Sequence, residues 1–243
     1  MVVHDEGDNI NLSDSDATLM IIQQSVLNLW ETVNNLTRLR PKRLKNFYAT
    51  IFGSARIQPD TLAYDDVRRL ARDLSTMGCR IVTGGGPGLM QAANEGAIQG
   101  APDDRDGSIG IRIQLPFEQS ANAFVGQVYT HRTFFTRLHH FILMSDAFIV
   151  VPGGIGTALE TFMVWQLLQV RKLYGVPLIM IGPMWEELVE WAKKYMVDVP
   201  APLANDVDLT IPRCVSTVDE ALMIVRERYL AWQTEGGRTA KGV

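Results

Sequence analysis

Two glycine-rich runs constrain this chain more than any other feature. The first is Thr83-Gly84-Gly85-Gly86-Pro87-Gly88-Leu89-Met90, and the second is Pro152-Gly153-Gly154-Ile155-Gly156-Thr157-Ala158-Leu159-Glu160. Each follows a short apolar stretch and precedes one with helical spacing of its apolar residues, so both read as strand, tight turn, helix. The strand candidates Ile149-Val150-Val151 and Leu178-Ile179-Met180-Ile181 are continuously apolar rather than alternating. That pattern belongs to parallel sheets covered by helices on both faces. The spacing predicts strands over 47–52, 80–83, 108–115, 147–151 and 177–181, with a further short one over 209–211. Helices are predicted over 61–77, 89–99, 133–144, 157–173, 185–197 and 218–232. The expected architecture is α/β, a doubly wound parallel sheet in one domain over residues 46–235. Ahead of it, apolar residues recur at helical spacing from Ala17 to Leu39 (Ile22, Val26, Leu29, Val33, Leu36) until Pro41. This predicts an N-terminal helical extension within residues 1–45, and residues 236–243 read as a flexible tail.

In an open parallel sheet, ligands collect beyond the carboxyl ends of the strands. A glycine turn there lets backbone amides converge on an anion, and the following helix adds free N–H groups and the positive end of its dipole. Neither run fits a standard fingerprint. Gly84 and Gly86 begin a GxGxxG, but Leu89 stands at the third glycine, which disfavours a dinucleotide cofactor. No GxxxxGK[ST] occurs, which argues against P-loop ATP hydrolysis.

Three polar residues near these turns carry candidate chemistry. Thr157-Ala158-Leu159-Glu160 has the spacing of a capping box, and spacing alone favours that role for Glu160. The alternative is a carboxylate kept charged by a helix N-terminus. Arg137 shares a predicted helix face with Phe134, Phe141 and Met144, so its guanidinium either snorkels to solvent or enters a polar pocket. Ser54, in Phe52-Gly53-Ser54-Ala55 at the end of the first predicted strand, offers a hydroxyl and an amide. His131, His139 and His140 cluster in sequence without metal-ligand spacing, and no HExxH occurs, so no metal site is expected.

The formal net charge of −4 gives no electrostatic footprint for nucleic acid or an anionic membrane. The basic stretch Arg38, Arg40, Lys42, Arg43 and Lys45 lacks interleaved aromatics and reads as a solvated helix end. Cys79 and Cys214 form no CxxC, and no run is long and apolar enough to span a bilayer, so the expectation is a soluble, cytoplasmic protein.

Taken together, Gly84 to Met90 and Pro152 to Glu160 resemble the paired GGGxxGLM and PGGxGTxxE motifs of the LOG (Lonely Guy) family, formerly labelled lysine decarboxylases. The likeness runs from about Phe47 to Trp191 and takes in Phe52-Gly53-Ser54, Ile113-Gln114-Leu115-Pro116-Phe117-Glu118-Gln119 and Phe134-Phe135-Thr136-Arg137. The resemblance implies a Rossmann-like fold, usually dimeric. It also implies a phosphoribohydrolase that splits AMP or an N6-substituted cytokinin ribotide into free base and ribose 5-phosphate without a cofactor. On that basis Glu160 is the expected catalytic carboxylate and Arg137 the catalytic arginine. Ser54, Gly84, Gly85, Gly86, Gly88, Leu89, Met90, Pro152, Gly153, Gly154, Gly156 and Thr157 are expected to hold phosphate and ribose. Asn122 and Gln166 are candidates for the base region.

Two positions depart from the family pattern: Leu138 where many relatives carry lysine, and Leu159 where many carry a second acid. The partner expected is a nucleoside monophosphate, with neither nucleic acid nor membrane, in a homodimer or a higher oligomer. Decarboxylation fits poorly, because Lys42, Lys45, Lys172, Lys193, Lys194 and Lys241 all lie off the glycine loops and a pyridoxal cofactor needs a lysine. Two non-enzymatic classes stand beside the hydrolase: a nucleotide- or molybdenum-cofactor-binding carrier, and a single-stranded DNA binder of related fold.

Overall fold

A computed structural model describes residues 15–36, 46–114 and 120–235. The chain divides into two compact units, one of residues 1–42 with 240–243 and the other of residues 43–239. Of the first unit the structure describes helix α1 (Ser15–Leu36). The basic stretch 38–45, the tail 236–243 and the segment 115–119 lie outside the described residues.

The second unit alternates β1 (Phe47–Phe52), α2 (Leu62–Thr76), β2 (Cys79–Thr83), α3 (Leu89–Gly100), β3 (Ser108–Ile113), β4 (Gln127–His131), α4 (Phe134–Met144), β5 (Ala147–Val150), α5 (Ile155–Gln169), β6 (Leu178–Ile181), α6 (Pro183–Ala192), β7 (Pro212–Val215) and α7 (Val218–Thr234). The seven strands form one sheet in the order β4-β3-β2-β1-β5-β6-β7. All six pairings are parallel. Strand order reverses between β1 and β5, so the turns after β1 and β5 flank the switch point where such sheets bind ligands.

Side chains alternate across the sheet as the strand period requires. Phe47, Ala49, Ile51, Ala147, Ile149 and Val151 face a core shared with α2, α3 and α7. Phe52, Phe148 and Val150 face the opposite core with Phe141 of α4, Val164 and Trp165 of α5, and Trp185 of α6. Burial on both sides explains why the central strands read as unbroken apolar runs.

Several elements differ from the sequence reading, three of them near the ends of the sheet or the second glycine turn. β4 went unrecognised because it carries Gln127, Thr130 and His131 and lies at the sheet edge, half-buried and exposed by turns. The strand expected over 209–211 lies instead at Pro212–Val215, while Asp206–Thr210 forms a 3-10 turn capped by Asn205. Pro212 is tolerated because it is the first residue of an edge strand. The helix expected from Thr157 begins earlier, at Ile155.

α2 and α3 pack closely because α3 presents Ala92, Ala93, Gly96, Ala97 and Gly100. A Cβ at Gly96 would lie 2.9 Å from the Arg72 backbone nitrogen and 3.0 Å from Ala71 Cβ, with no flexible side chain to yield. This contact fixes the helix that opens on the first glycine turn. Gly96→Ala is expected to destabilise the domain by about 1–3 kcal/mol through overpacking, measured as a lower denaturant midpoint at unchanged m-value.

Candidate functional site

Three turns meet at the carboxyl edge of the sheet, and their main chains are hydrogen-bonded together. The Ser54 amide, just after β1, donates to the Pro152 carbonyl at the second glycine turn, at 3.0 Å. The Ser54 carbonyl in turn accepts from the Leu89 amide at the first glycine turn, at 2.9 Å. The Ser54 hydroxyl accepts from the Arg56 amide, closing its own loop at 3.1 Å. Gly88 approaches Ser54 and Ala55 too closely to carry a side chain, and its φ of 69° is left-handed. Gly53 and Gly153 are required by packing: a Cβ at Gly53 would press on Val151, and one at Gly153 on the buried Thr157.

A buried amide network supports the first turn from beneath. Thr83 donates its hydroxyl to Asn94 Oδ1 at 2.7 Å and accepts the Gly85 amide at 2.9 Å. Asn94 Nδ2 donates to Ser108 Oγ at 3.0 Å. From above, the Asn122 amide donates to the Gly85 carbonyl at 3.0 Å, and Asn122 Nδ2 donates to the Gly86 carbonyl at 2.9 Å and to Asn94 Oδ1 at 3.0 Å. Asn122 therefore shapes the glycine turn rather than standing free to read a base. Asn94 went unnoticed in the sequence, where it is one polar residue in an alanine-rich helix; only its full burial marks it.

Arg137 on α4 turns inward. Its Nη1 donates to Glu160 Oε1 at 2.8 Å and its Nε to the Ile111 carbonyl at 2.8 Å, while Cζ stands 5.1 Å over the Phe141 ring. The remaining arm reaches the first glycine turn: a Cβ at Gly84 would lie 2.6 Å from Arg137 Nη2 and 2.7 Å from Met90 Sδ. The guanidinium thus links α4, β3, α5 and the first turn. Both side chains of the ion pair are only 11% exposed. Burial pushes the Glu160 carboxyl above the usual carboxylate range, and the Arg137 guanidinium pulls against that shift through its charge and its hydrogen bond.

The capping-box reading of Glu160 is overturned. α5 is capped by Gly154 with no side-chain hydrogen bond, which puts Thr157 at the third helical residue and Glu160 a turn deeper. α3 likewise opens on Gly88 with no side-chain cap, whereas α2, α4 and α7 carry threonine caps at Thr61, Thr133 and Thr217. Gly154 and Gly156 differ from the glycines above. Neither has positive φ, and a Cβ at either would meet nothing within 4 Å.

The other candidates lie as follows. Leu89 is fully buried in the core and its amide is held by Ser54. Met90 lies across the first turn, with its Cε 2.7 Å from where a Gly86 Cβ would stand, and Gly85 has a φ of 71°. Gln166 bonds Gln169 on an exposed part of α5, away from Glu160. His131 Nε2 and His140 Nδ1 are 3.0 Å apart, a contact between an edge strand and α4 that sequence adjacency does not reveal. Burial lowers both imidazoles, His140 to about 4.

Comparison with known proteins gives the fold and the family. Pyrimidine/purine nucleotide 5′-monophosphate nucleosidase of Escherichia coli is 30% identical over 122 residues, which is 48% of this chain and 27% of that protein. The chain therefore spans about a quarter of the length of the curated relatives it matches. Among solved structures, the molybdenum cofactor carrier protein of Chlamydomonas reinhardtii aligns with a TM-score of 0.53 at 16% identity, covering 76% of this chain and 99% of its own. The molybdenum cofactor binding protein of Rippkaea orientalis aligns with a TM-score of 0.54 at 16% identity, over 76% and 97%. These likenesses establish a shared Rossmann-like fold. The model of the family described as "possible lysine decarboxylase" matches residues 90–225, more than half of the chain and inclusive of both Arg137 and Glu160, and the protein belongs to that family, the LOG family.

Proposed function

We propose that the protein is a nucleoside 5′-monophosphate phosphoribohydrolase that cleaves the N-glycosidic bond of AMP or an N6-substituted AMP. The observation that carries this reading is a buried Arg137–Glu160 pair whose guanidinium lies against the first glycine turn, with Glu160 on the helix that follows the second, beside the switch point. The nucleosidase relatives support it over the segment they share. The decarboxylase description finds no support in the site, because the described lysines Lys172, Lys193 and Lys194 are all exposed and off the glycine turns.

The 5′-phosphate sits against the glycine backbones and the side-chain-free starts of α3 and α5, where amides and helix dipoles favour an anion. Gly154 and Gly156 fit this placement, since nothing in the chain itself demands glycine there. Fixing the phosphate positions C1′ of the ribose near Glu160. Water adds to C1′ as the C1′–N9 bond breaks through an oxocarbenium-like state, and the base leaves with the bonding electrons and a proton. Ionised Glu160 stabilises the developing positive charge, through the ribose hydroxyls or by taking a proton from the water. Arg137 orients the nucleotide or assists the departing base. The working form is a homodimer in a reducing cytoplasm, in keeping with two unpaired cysteines. The molybdenum cofactor carriers of the same fold keep a second reading in view, a carrier that binds without turnover.

Incubating the protein with AMP, GMP, CMP and a cytokinin ribotide is expected to release free base and ribose 5-phosphate from at least one of them. Tight binding without product would establish the carrier instead. Arg137→Ala and Glu160→Gln are each expected to lower kcat by roughly 10²–10⁴-fold, and full activity in both would refute the mechanism.

Because Glu160 must be ionised and its carboxyl titrates above the usual range, kcat is expected to fall as pH drops through that raised value. A pH–rate profile in which the acid limb sits at an ordinary carboxylate value would show that another group controls it.

Gly156→Ala separates binding from folding. Alanine in the first turn of α5 should leave stability unchanged or raise it by about 0.4–1 kcal/mol, while KM for the nucleotide rises tenfold or more. Equal KM values for the variant and the parent would remove Gly156 from the phosphate site.

A further inference from the structure

Three side chains hold the first glycine turn in a single hydrogen-bond polarity. The Gly86 carbonyl can only accept, so the Asn122 side chain must present its nitrogen there, at 2.9 Å. The same Nδ2 faces Asn94 at 3.0 Å, which fixes Asn94 Oδ1 as an acceptor. Thr83 must therefore give its hydroxyl proton to Asn94 Oδ1, at 2.7 Å, and its oxygen is left to accept the Gly85 amide at 2.9 Å. The bonds thus run from Gly86 back to Gly85, and no link is free to reverse. Two anchors outside this loop agree with its direction. The Phe124 amide donates to Asn122 Oδ1 at 3.1 Å, and Asn94 Nδ2 donates to Ser108 Oγ at 3.0 Å.

We propose that Thr83, Asn94 and Asn122 are positioning residues that set how tightly the first turn holds the 5′-phosphate. That role rests on the phosphoribohydrolase reading and assigns the residues that tune its anion site. None of the three touches the phosphate; each acts through the Gly85–Gly86 backbone.

The physical reason lies in the two faces of a peptide group. An amide turned toward a phosphate attracts it, whereas a carbonyl turned toward it repels. Here the Gly85 and Gly86 carbonyls are both occupied, the first by the Asn122 amide at 3.0 Å and the second by Asn122 Nδ2. Among the described residues, nothing accepts from the Gly86 and Gly88 amides, although Gly88 is buried. An unmatched amide in a buried turn is costly, and an anion supplies the acceptor. Thr83 and Asn94 are fully buried, so solvent is a poor substitute for the bonds they make. Asn122 comes from the loop ahead of β4, and that loop thereby governs a turn formed after β2.

Calorimetry with ribose 5-phosphate and adenosine, and kinetics with the hydrolysed nucleotide, test this on the full chain. Asn122→Ser keeps a side-chain oxygen for the Phe124 amide but falls short of Gly86. Thr83→Val keeps the shape of the side chain and removes its hydroxyl, which Thr83→Ser retains. Asn122→Ser and Thr83→Val are each expected to weaken ribose 5-phosphate binding and raise KM by about tenfold or more, the worth of one or two lost hydrogen bonds. Thr83→Ser is expected to stay close to the parent, and adenosine, which lacks the phosphate, to bind the variants as it binds the parent. Parental affinity for ribose 5-phosphate in Asn122→Ser and Thr83→Val overturns the proposal and leaves the reaction standing. So does a loss confined to kcat, an equal loss for adenosine, or a Thr83→Ser chain as impaired as Thr83→Val. A parent chain that neither binds ribose 5-phosphate nor releases a base removes the reaction and the proposal together.

Discussion

The ion pair between Arg137 and Glu160 is the interaction around which this domain is arranged. Moving two charges out of water costs several kcal/mol per ion, and a lone partner left behind costs about 3–5 kcal/mol. Such a pair persists only where further contacts meet the guanidinium. Here they are the Ile111 carbonyl, the Phe141 ring and the backbone space at Gly84. The topology supplies all of them at once. The chain leaves edge strand β4 and crosses back to central β5, laying α4 over β3 and beside α5 on one face of the sheet. Arg137 thereby meets a carboxylate on the next helix and a glycine turn formed much earlier in the chain.

Much of this frame was legible in the sequence, for reasons that can be named. Continuous apolar strands and punctuating glycines report burial on both faces and tight turns, which are local properties. β4 was hidden because an edge strand carrying Gln127, Thr130 and His131 has no such signature. The paired motifs brought Arg137 and Glu160 forward as candidates, but not their mutual contact, because residues 23 apart on two helices meet only through the fold. The capping box failed for a related reason. Helix starts are decided by the backbone leaving the strand, and glycines at 153 and 154 let α5 begin at Ile155, ahead of the threonine that would have capped it. Asn94 gave no signal at all, and Asn122 stood out only as a candidate for the base region, since an amide that supports a turn from another element resembles any surface amide.

The match to the family begins at Met90, yet the site extends further back. Gly84 to Gly88 and Ser54 lie ahead of the matched stretch and are hydrogen-bonded or packed into the same pocket. The structural unit of the site is therefore larger than the segment by which the family is recognised. In the proposed reading the glycine turns form an anion cradle, and Arg137 on α4 and Glu160 on α5 act on the molecule held there. Leu138, beside Arg137, and Leu159, half-exposed beside Glu160, are the two positions that the sequence reading set apart from the motifs the chain resembles.

The clasp made by Ser54 carries a consequence for how such a pocket diversifies. Its two bonds to the glycine turns use only the amide and the carbonyl, so every residue type except proline can form them. The frame of the pocket is thus indifferent to side-chain drift at its centre, while a single altered atom in the buried ion pair is not. A change of side chain at residue 54 can therefore alter what the three turns present between them and leave their main-chain frame intact.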